Sequence, residues 1–214
     1  DLKAGGTWMG VTRRGHWGVV TNIRDEHPQR NDARSRGTLV ADYLREEPDP
    51  HAYLHRVAKD ADHYNGFNLL LGTPESLHYL SNREGTVQAV EPGLHGLSNE
   101  RLDTPWPKVR RAKAGLRSQI EEGTVAPEAV LDLLNDRRRA PDDQLPETGF
   151  GRERERMLSP IFINGERYGT RASTVLLIDR TGEVTFVERT FNDGTPASTQ
   201  RFRFEVSTSS EPSR

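Results

Sequence analysis

Side chains able to orient or polarise a carbonyl group recur where apolar segments of this sequence begin or end. Asn99 closes Gly96-Leu97-Ser98-Asn99, after a short polar strand end and just before a helix start. There its amide can donate to a developing oxyanion, and in a closed site such a donor contributes about 3–4 kcal/mol. Arg171 stands between Gly169-Thr170 and the apolar run Val175-Leu176-Leu177-Ile178. Its planar guanidinium suits a carboxylate or phosphate ligand, and a structural acid would satisfy it equally well. Tyr168 and Thr170 would be its neighbours. Asn82 ends an apolar stretch at Ser81-Asn82, where its amide can donate to a substrate oxygen or tie a turn. Asn22 and Arg24 follow another strand, and on residue type alone Asn22 starts a loop with a local turn bond. In Tyr64-Asn65-Gly66-Phe67-Asn68, Gly66 is expected to supply an unusual backbone angle and Asn65 to tie the turn.

Nucleophilic and metal chemistry are poorly served by the residues present. The sequence has no cysteine, which excludes disulfides, thiolate metal sites and a thiol nucleophile within it. No Ser–His–Asp spacing suggests a hydrolytic triad. Of the seven histidines, His51 and His55 stand i,i+4 on one predicted helix. That spacing can bind zinc, but no acid motif follows it, and an exposed helix face accounts for the pair; no metal site is expected. No cofactor is required. His95, in Pro92-Gly93-Leu94-His95-Gly96, would be the axial ligand if the protein handles haem.

Glycine-, asparagine- and proline-bearing motifs also recur in a fixed order. They are Gly5-Gly6-Thr7-Trp8-Met9-Gly10-Val11, Thr21-Asn22-Ile23-Arg24, Tyr64-Asn65-Gly66-Phe67-Asn68-Leu69-Leu70-Leu71, Gly96-Leu97-Ser98-Asn99 with Leu102-Asp103-Thr104-Pro105-Trp106-Pro107-Lys108, and Tyr168-Gly169-Thr170-Arg171. Together they resemble the NRDE family, which includes the transport and Golgi organisation protein 2 proteins. The resemblance runs from Gly5 to about Val187, and the Leu-Asp-Thr-Pro-Trp-Pro-Lys run is its most specific part. It implies a four-layered αββα sandwich of the N-terminal-nucleophile hydrolase type. Members begin with Met-Cys and carry an Asn-Arg-Asp-Glu strand; this sequence opens at Asp1 with neither, so the N-terminal strands are expected to be missing. Either a start placed too far downstream or a natural short form would explain this. The resemblance implies hydrolysis of a non-peptide amide through an N-terminal cysteine lying outside these residues, and the 214 residues alone are expected to be inactive. Asn99 and Arg171 would then be the oxyanion donor and the substrate-orienting group, with Asn22 and Arg24 at a sheet end facing the cleft. Family links to haem handling, lipid homeostasis and secretory-pathway organisation imply an alternative, a protein that binds haem or an acyl lipid without catalysis.

Bulk composition narrows the partners. A net charge of −2 gives no electrostatic case for nucleic acid or an anionic membrane. No apolar run reaches the ~20 residues needed to span a bilayer. A small-molecule ligand or substrate and a cytoplasmic location are the expectation. With 33% hydrophobic and 29% charged residues, the core must come from a few dense segments.

Those segments set the elements that must position the polar groups. Residues 7–12 and 16–22 read as a hairpin. Ser35 is expected to cap a helix burying Leu39, Val40, Tyr43 and Leu44, and Asp49-Pro50 to start a second with Tyr53, Leu54 and Val57 inside. Residues 67–71 and 77–81 read as buried strands. Thr104-Pro105 would begin a longer helix, with Thr104 as cap and Val109, Ala112, Leu116 and Ile120 as its apolar face. Another runs over 127–139. Residues 140–156 read as an exposed loop with the Arg/Glu run 152–156 as a solvated face. Residues 173–179, 183–191 and 200–206 read as strands. The expected class is α+β, with residues 1–206 as one domain and 207–214 as a disordered tail. The 5–22 hairpin would belong to a sheet facing a second one built on 173–191.

Overall fold

The computed structural model describes residues 5–207, so Asp1 and the tail beyond Ser207 lie outside the described residues. The chain divides into two compact units. The first comprises Asp1–Gly93, Ser98–Arg101 and Glu205–Arg214, and the second Leu94–Leu97 and Leu102–Phe204.

In the first unit, five strands form an antiparallel sheet in sequence order: β1 (Met9–Val11), β2 (Trp17–Asn22), β3 (Phe67–Gly72), β4 (Leu77–Ser81) and β5 (Val87–Ala89). The expected hairpin is β1–β2, with Met9 opposite Val19 and a turn closed by Gly15 N donating to the Thr12 carbonyl at 3.1 Å. Two helices, α1 (Gly37–Glu46) and α2 (Pro50–Lys59), pack on this sheet, α1 against β1 and β2, α2 against β4 and β5. Helix α2 starts as anticipated: Asp49 Oδ1 accepts the Ala52 N–H at 2.8 Å and Pro50 occupies the first turn. Helix α1 does not. Arg36 holds its N-cap position, and Ser35 contributes its carbonyl rather than its hydroxyl, accepting from the Thr38 N–H and Oγ1. Val20, Leu39, Val40, Tyr43, Leu54, Phe67, Leu69, Leu71 and Leu80 form the core between helices and sheet.

Strand alternation then decides the other face. Leu69 pairs with Val20 and Leu80, all core residues, so Asn68, with its cross-strand partners Thr21 and Ser81, points the opposite way.

The second unit has three helices and one sheet. Its helices are α3 (Pro107–Glu121), α4 (Pro127–Leu134) and α5 (Arg152–Leu158). Its strands are β6 (Ala172–Ile178), β7 (Glu183–Asn192) and β8 (Thr195–Glu205), in that order. β6 and β7 are antiparallel, with Val175 opposite Val187. The two-residue Asp193-Gly194 connection makes β7 and β8 antiparallel as well. Leu131 of α4 packs with Val175 and Val187. The architecture is thus α+β with two antiparallel sheets, each bearing helices.

Several features differ from expectation here: β8 begins at Thr195 rather than 200, and Ile120, expected on the apolar face of α3, is 55% exposed. Helix α3 begins at Pro107, because Trp106, not Thr104, is its N-cap. Helix α4 stops at Leu134. Residues 152–158 are helical, and Glu155 is 2% exposed with its carboxylate hydrogen-bonded to the Thr148 hydroxyl, so the charge run is not uniformly solvated.

Gly6 marks where the leading segment meets helix α1. A Cβ there would stand 2.6 Å from the Gly37 carbonyl carbon and 2.9 Å from its Cα. Backbone cannot yield as a side-chain tip would, so Gly6→Ala should lower the unfolding free energy by about 1–3 kcal/mol in urea titration. An unchanged midpoint would show that this close approach is absent in solution.

Candidate functional site

The polar face of the first sheet is organised around Asn68, which is fully buried. Its Oδ1 accepts from the Tyr79 hydroxyl at 2.7 Å, and its Nδ2 donates to the Glu100 carbonyl at 2.8 Å and to Thr21 Oγ1 at 3.3 Å. Thr21 Oγ1 in turn donates to the Ser98 carbonyl at 2.9 Å. The segment Ser98–Arg101 is therefore held along the end of β2 by the buried Asn68 and the half-buried Thr21.

Asn99 completes this attachment. Its Nδ2 donates to the Asn22 carbonyl at 3.0 Å, its own carbonyl accepts the Arg24 N–H at 2.7 Å, and its Oδ1 lies 3.5 Å from an Arg24 guanidinium nitrogen. Arg24 is 7% exposed. Asn22, Arg24 and Asn99 thus come together at one strand end, though Asn22 meets Asn99 through its backbone. The Asn22 side chain, opposite Phe67 in the register, shares the helix-covered face, and its Oδ1 is buried without a hydrogen-bond partner.

The remaining sequence-predicted residues divide differently. Asn82 spends its amide on backbone: Oδ1 accepts the Phe67 N–H at 2.8 Å, and Nδ2 donates to the Asn65 and Ala61 carbonyls at 3.3 and 3.5 Å. This is the turn-tying alternative. Asn65 ties the 25–34 loop rather than its own turn, accepting from Arg30 N at 2.8 Å and donating to Arg30 O at 3.0 Å. Gly66 has no left-handed backbone; it is small because Ile23 Cβ would lie 3.1 Å from any added Cβ.

In the second unit, Thr170 Oγ1 accepts the Ile163 N–H at 3.0 Å, and the Arg171 carbonyl accepts the Phe191 N–H at 2.9 Å. Tyr168 is 60% exposed. Arg171 is exposed too, and no carboxylate of the described residues pairs with it.

Asp103, just before the expected Thr104 cap, lies ahead of helix α3 and accepts from other partners. It adopts a left-handed φ of 61° and gathers three donors: Gly96 N at 2.9 Å, His95 Nδ1 at 2.7 Å and Lys113 Nζ at 2.6 Å. Asp103 N also donates to the Gly96 carbonyl at 2.7 Å, closing the ends of the loop between them. Burial opposes its ionisation, but Lys113, His95 and the Gly96 amide together bring its pKa down to about 2. Further along the same run, Trp106 is buried and Lys108 Nζ donates to the Leu158 carbonyl at 3.0 Å.

Thr21, Asn68 and Tyr79 were missed by sequence reasoning. The available signal was an asparagine inside the apolar run Phe67-Asn68-Leu69-Leu70-Leu71. A cavity of about 200 Å³ lies elsewhere in the first unit, lined by Gly6–Trp8, Ala33–Gly37 and Asn65. No helix of the described residues is long and apolar enough to cross a membrane.

Comparison with known proteins agrees with the motif order. The family described as transport and Golgi organisation 2 matches residues 1–193. A mouse protein named transport and Golgi organization 2 homolog is 35% identical over 209 residues, covering 89% of this chain and 74% of its own. A human protein named transport and Golgi organization protein 2 homolog is 36% identical over 89% of this chain and 74% of its own, and a Drosophila melanogaster transport and Golgi organization protein 2 is 28% identical over 88% of this chain and 73% of its own. The chain belongs to the transport and Golgi organisation 2 family.

Two outcomes follow from this geometry. Asn99→Ala removes the side-chain clasp on β2 but not the backbone contact to Arg24. Hydrogen exchange of amides in 98–101 should therefore quicken severalfold, matching about 1 kcal/mol of lost stability; unaltered exchange would show that the clasp holds nothing. The depressed pKa of Asp103 contributes stability that is complete above the ordinary carboxylate range and lost as pH falls through about 2. Asp103→Asn should flatten acid unfolding between pH ~4 and ~2 only in part, because Asp136, held by Arg138 and Arg111 and also lowered to about 2, keeps its own share. An identical acid limb in the variant would contradict the assignment.

Proposed function

We propose that this chain forms the substrate-holding part of an amide hydrolase of the N-terminal-nucleophile kind, with Asn99 and Arg24 polarising the carbonyl of a small non-peptide amide. The observation that carries this reading is the convergence of Asn99 with the buried Arg24 at the end of β2. One N–H of Asn99 holds the Asn22 carbonyl, and the second is left for a ligand oxygen. Arg171, exposed in the second unit with no carboxylate partner among the described residues, remains a candidate for a carboxylate ligand in its own right.

The reaction needs a thiolate that these 214 residues do not contain. Its sulfur would attack the carbonyl carbon, moving the carbonyl electron pair onto oxygen. The cysteine's own α-amine would take the thiol proton; collapse of the oxyanion then breaks the C–N bond, the leaving amine receives that proton from the α-ammonium, and water hydrolyses the thioester to acid and free thiol. Asn99 and Arg24 act on the oxyanion, where donors tell most.

A haem-binding reading would use His95, whose Nδ1 is oriented by Asp103 as metal-ligating imidazoles commonly are. The cavity beside Asp103 holds about 230 Å³ and is bordered by Arg110, Lys113 and Arg117. That is below the ~300–1,000 Å³ of apolar ligand sites and does not fit a haem macrocycle. An acyl-lipid ligand has no comparable residue in its favour.

The test compares two forms on simple acyl-amides: the 214-residue chain, and the same chain preceded by the Met-Cys-starting segment of a family relative. The first should show no turnover above background. The second should turn over, form a thioester on its cysteine, and lose about 10²–10³ in kcat on Asn99→Ala. Turnover by the first form, indifferent to Asn99→Ala and Arg171→Ala, would mean the chemistry lies elsewhere. A second form that binds no amide would remove the hydrolase reading.

A further inference from the structure

Helix α2 carries a second chemical grouping, remote in role from the β2 end. His51 and His55 lie one turn apart on its exposed face, with their Nε2 atoms 3.2 Å apart and their rings at 4.4 Å. Nitrogens about 2.0–2.1 Å from one cation stand about 2.8–2.9 Å apart at the right angle of a tetragonal site and about 3.3–3.4 Å apart on a tetrahedral one, so the pair already has the spacing of a chelate edge. Beside it, the His78 ring of β4 lies 5.4 Å from that of His51, and His78 Nδ1 is buried with no hydrogen-bond partner. Imidazoles from two packed elements therefore share one patch.

We propose that His51 and His55 form a two-point chelating site for a late first-row divalent cation, with solvent completing the coordination. The ligand type sets the preference. Imidazole pairs bind Cu²⁺ more tightly than Ni²⁺ or Zn²⁺ and have little affinity for Mg²⁺ or Ca²⁺, which require oxygen. No group of three His, Cys, Asp or Glu among the described residues is arranged to hold an ion. The site is accordingly open and exchangeable, unlike a closed structural cage, and His78 borders it without ligating. The nearby carboxylate of Asp49 is engaged in capping α2 through the Ala52 N–H.

The competing account is a single shared proton, with one Nε2–H donating to the other Nε2. That requires the two rings to hold different tautomers. A chelate requires both protons on Nδ1 and both Nε2 lone pairs turned to the ion. Distance alone fits both, so a titration separates them.

The metal-free 214-residue chain is titrated calorimetrically with Cu²⁺ and, separately, with Zn²⁺, and the copper-loaded form is examined by electron paramagnetic resonance. One saturable site is expected, tighter for copper, with hyperfine structure from two equatorial nitrogens. His51→Ala and His55→Ala should each weaken copper binding at least about tenfold, and His55→Gln should do the same, while His27→Ala changes nothing. The alanine variants replace exposed helix positions with a stronger helix former, so they should fold, and circular dichroism of the metal-free proteins checks this. No saturable binding, or equal affinity in the His51 and His55 variants, would overturn the proposal and leave the shared proton as the explanation.

Discussion

A fully buried asparagine in an apolar strand constrains much of the first unit. Leaving the Asn68 amide unsatisfied at that depth would cost roughly 1–3 kcal/mol, and the Tyr79 hydroxyl, equally buried, would cost about as much again. Each answers the other, and Thr21 and the Glu100 carbonyl take the remaining donors. The arrangement also disfavours misregister. A slip of one residue in β3 would turn Asn68 into the face occupied by Leu39, Tyr43 and Leu54 and expose Leu69 to the polar side. Strand register and the position of the Asn99 segment are thus set by the same hydrogen bonds.

The fold was legible wherever hydrophobic period and punctuation agreed. The β1–β2 hairpin, both helices of the first unit, β3, β4 and the C-terminal strands all follow from alternation, Pro50 and the Asp49 cap. Failures came where one residue type has two uses. An Arg/Glu run can be a solvated loop or a helix, and what decides for α5 is burial of Glu155 against Thr148, a long-range fact absent from local pattern. β5 is only three residues long and two of them are exposed, so it carries almost no periodic signal. Ser35 looked like a cap because serine often caps, yet its carbonyl does the work.

The candidate site was legible in part. Polar residues at strand ends directed attention to Asn22, Arg24 and Asn99, which do meet. Sequence could not say that Asn22 would meet Asn99 through its carbonyl, because side-chain direction depends on the register with Phe67. The most specific run misled for a similar reason. Asp103-Thr104-Pro105 has the residue types of a helix N-terminus, but the left-handed backbone at Asp103 aims its carboxylate at Gly96, His95 and Lys113 instead. Three donors, two of them on side chains, outweigh a favourable place on the dipole of a helix, worth only about 0.3–1 kcal/mol.

The composition of the β2 end limits its chemistry in a definite way. Amides, a hydroxyl and a guanidinium donate hydrogen bonds to negative charge but neither generate a nucleophile nor move a proton at neutral pH. A donor of the Asn99 kind accounts for about 3–4 kcal/mol of a barrier, whereas enzymes typically remove about 8–23. The rest must come from a nucleophile, its base and the holding of the substrate in line. On the proposed reading, what rigidity would add is preorganisation: Asn99 is fixed through its side chain to β2 and through its segment to Thr21 and Asn68, so its remaining N–H would not need reorganising if charge developed beside it. The same rigidity serves a bound carbonyl in its ground state. On the proposed hydrolase reading, such a cluster would bind first and catalyse only in company, so the identity of the attacking group, more than that of the donors, would decide between a hydrolase and a binding protein.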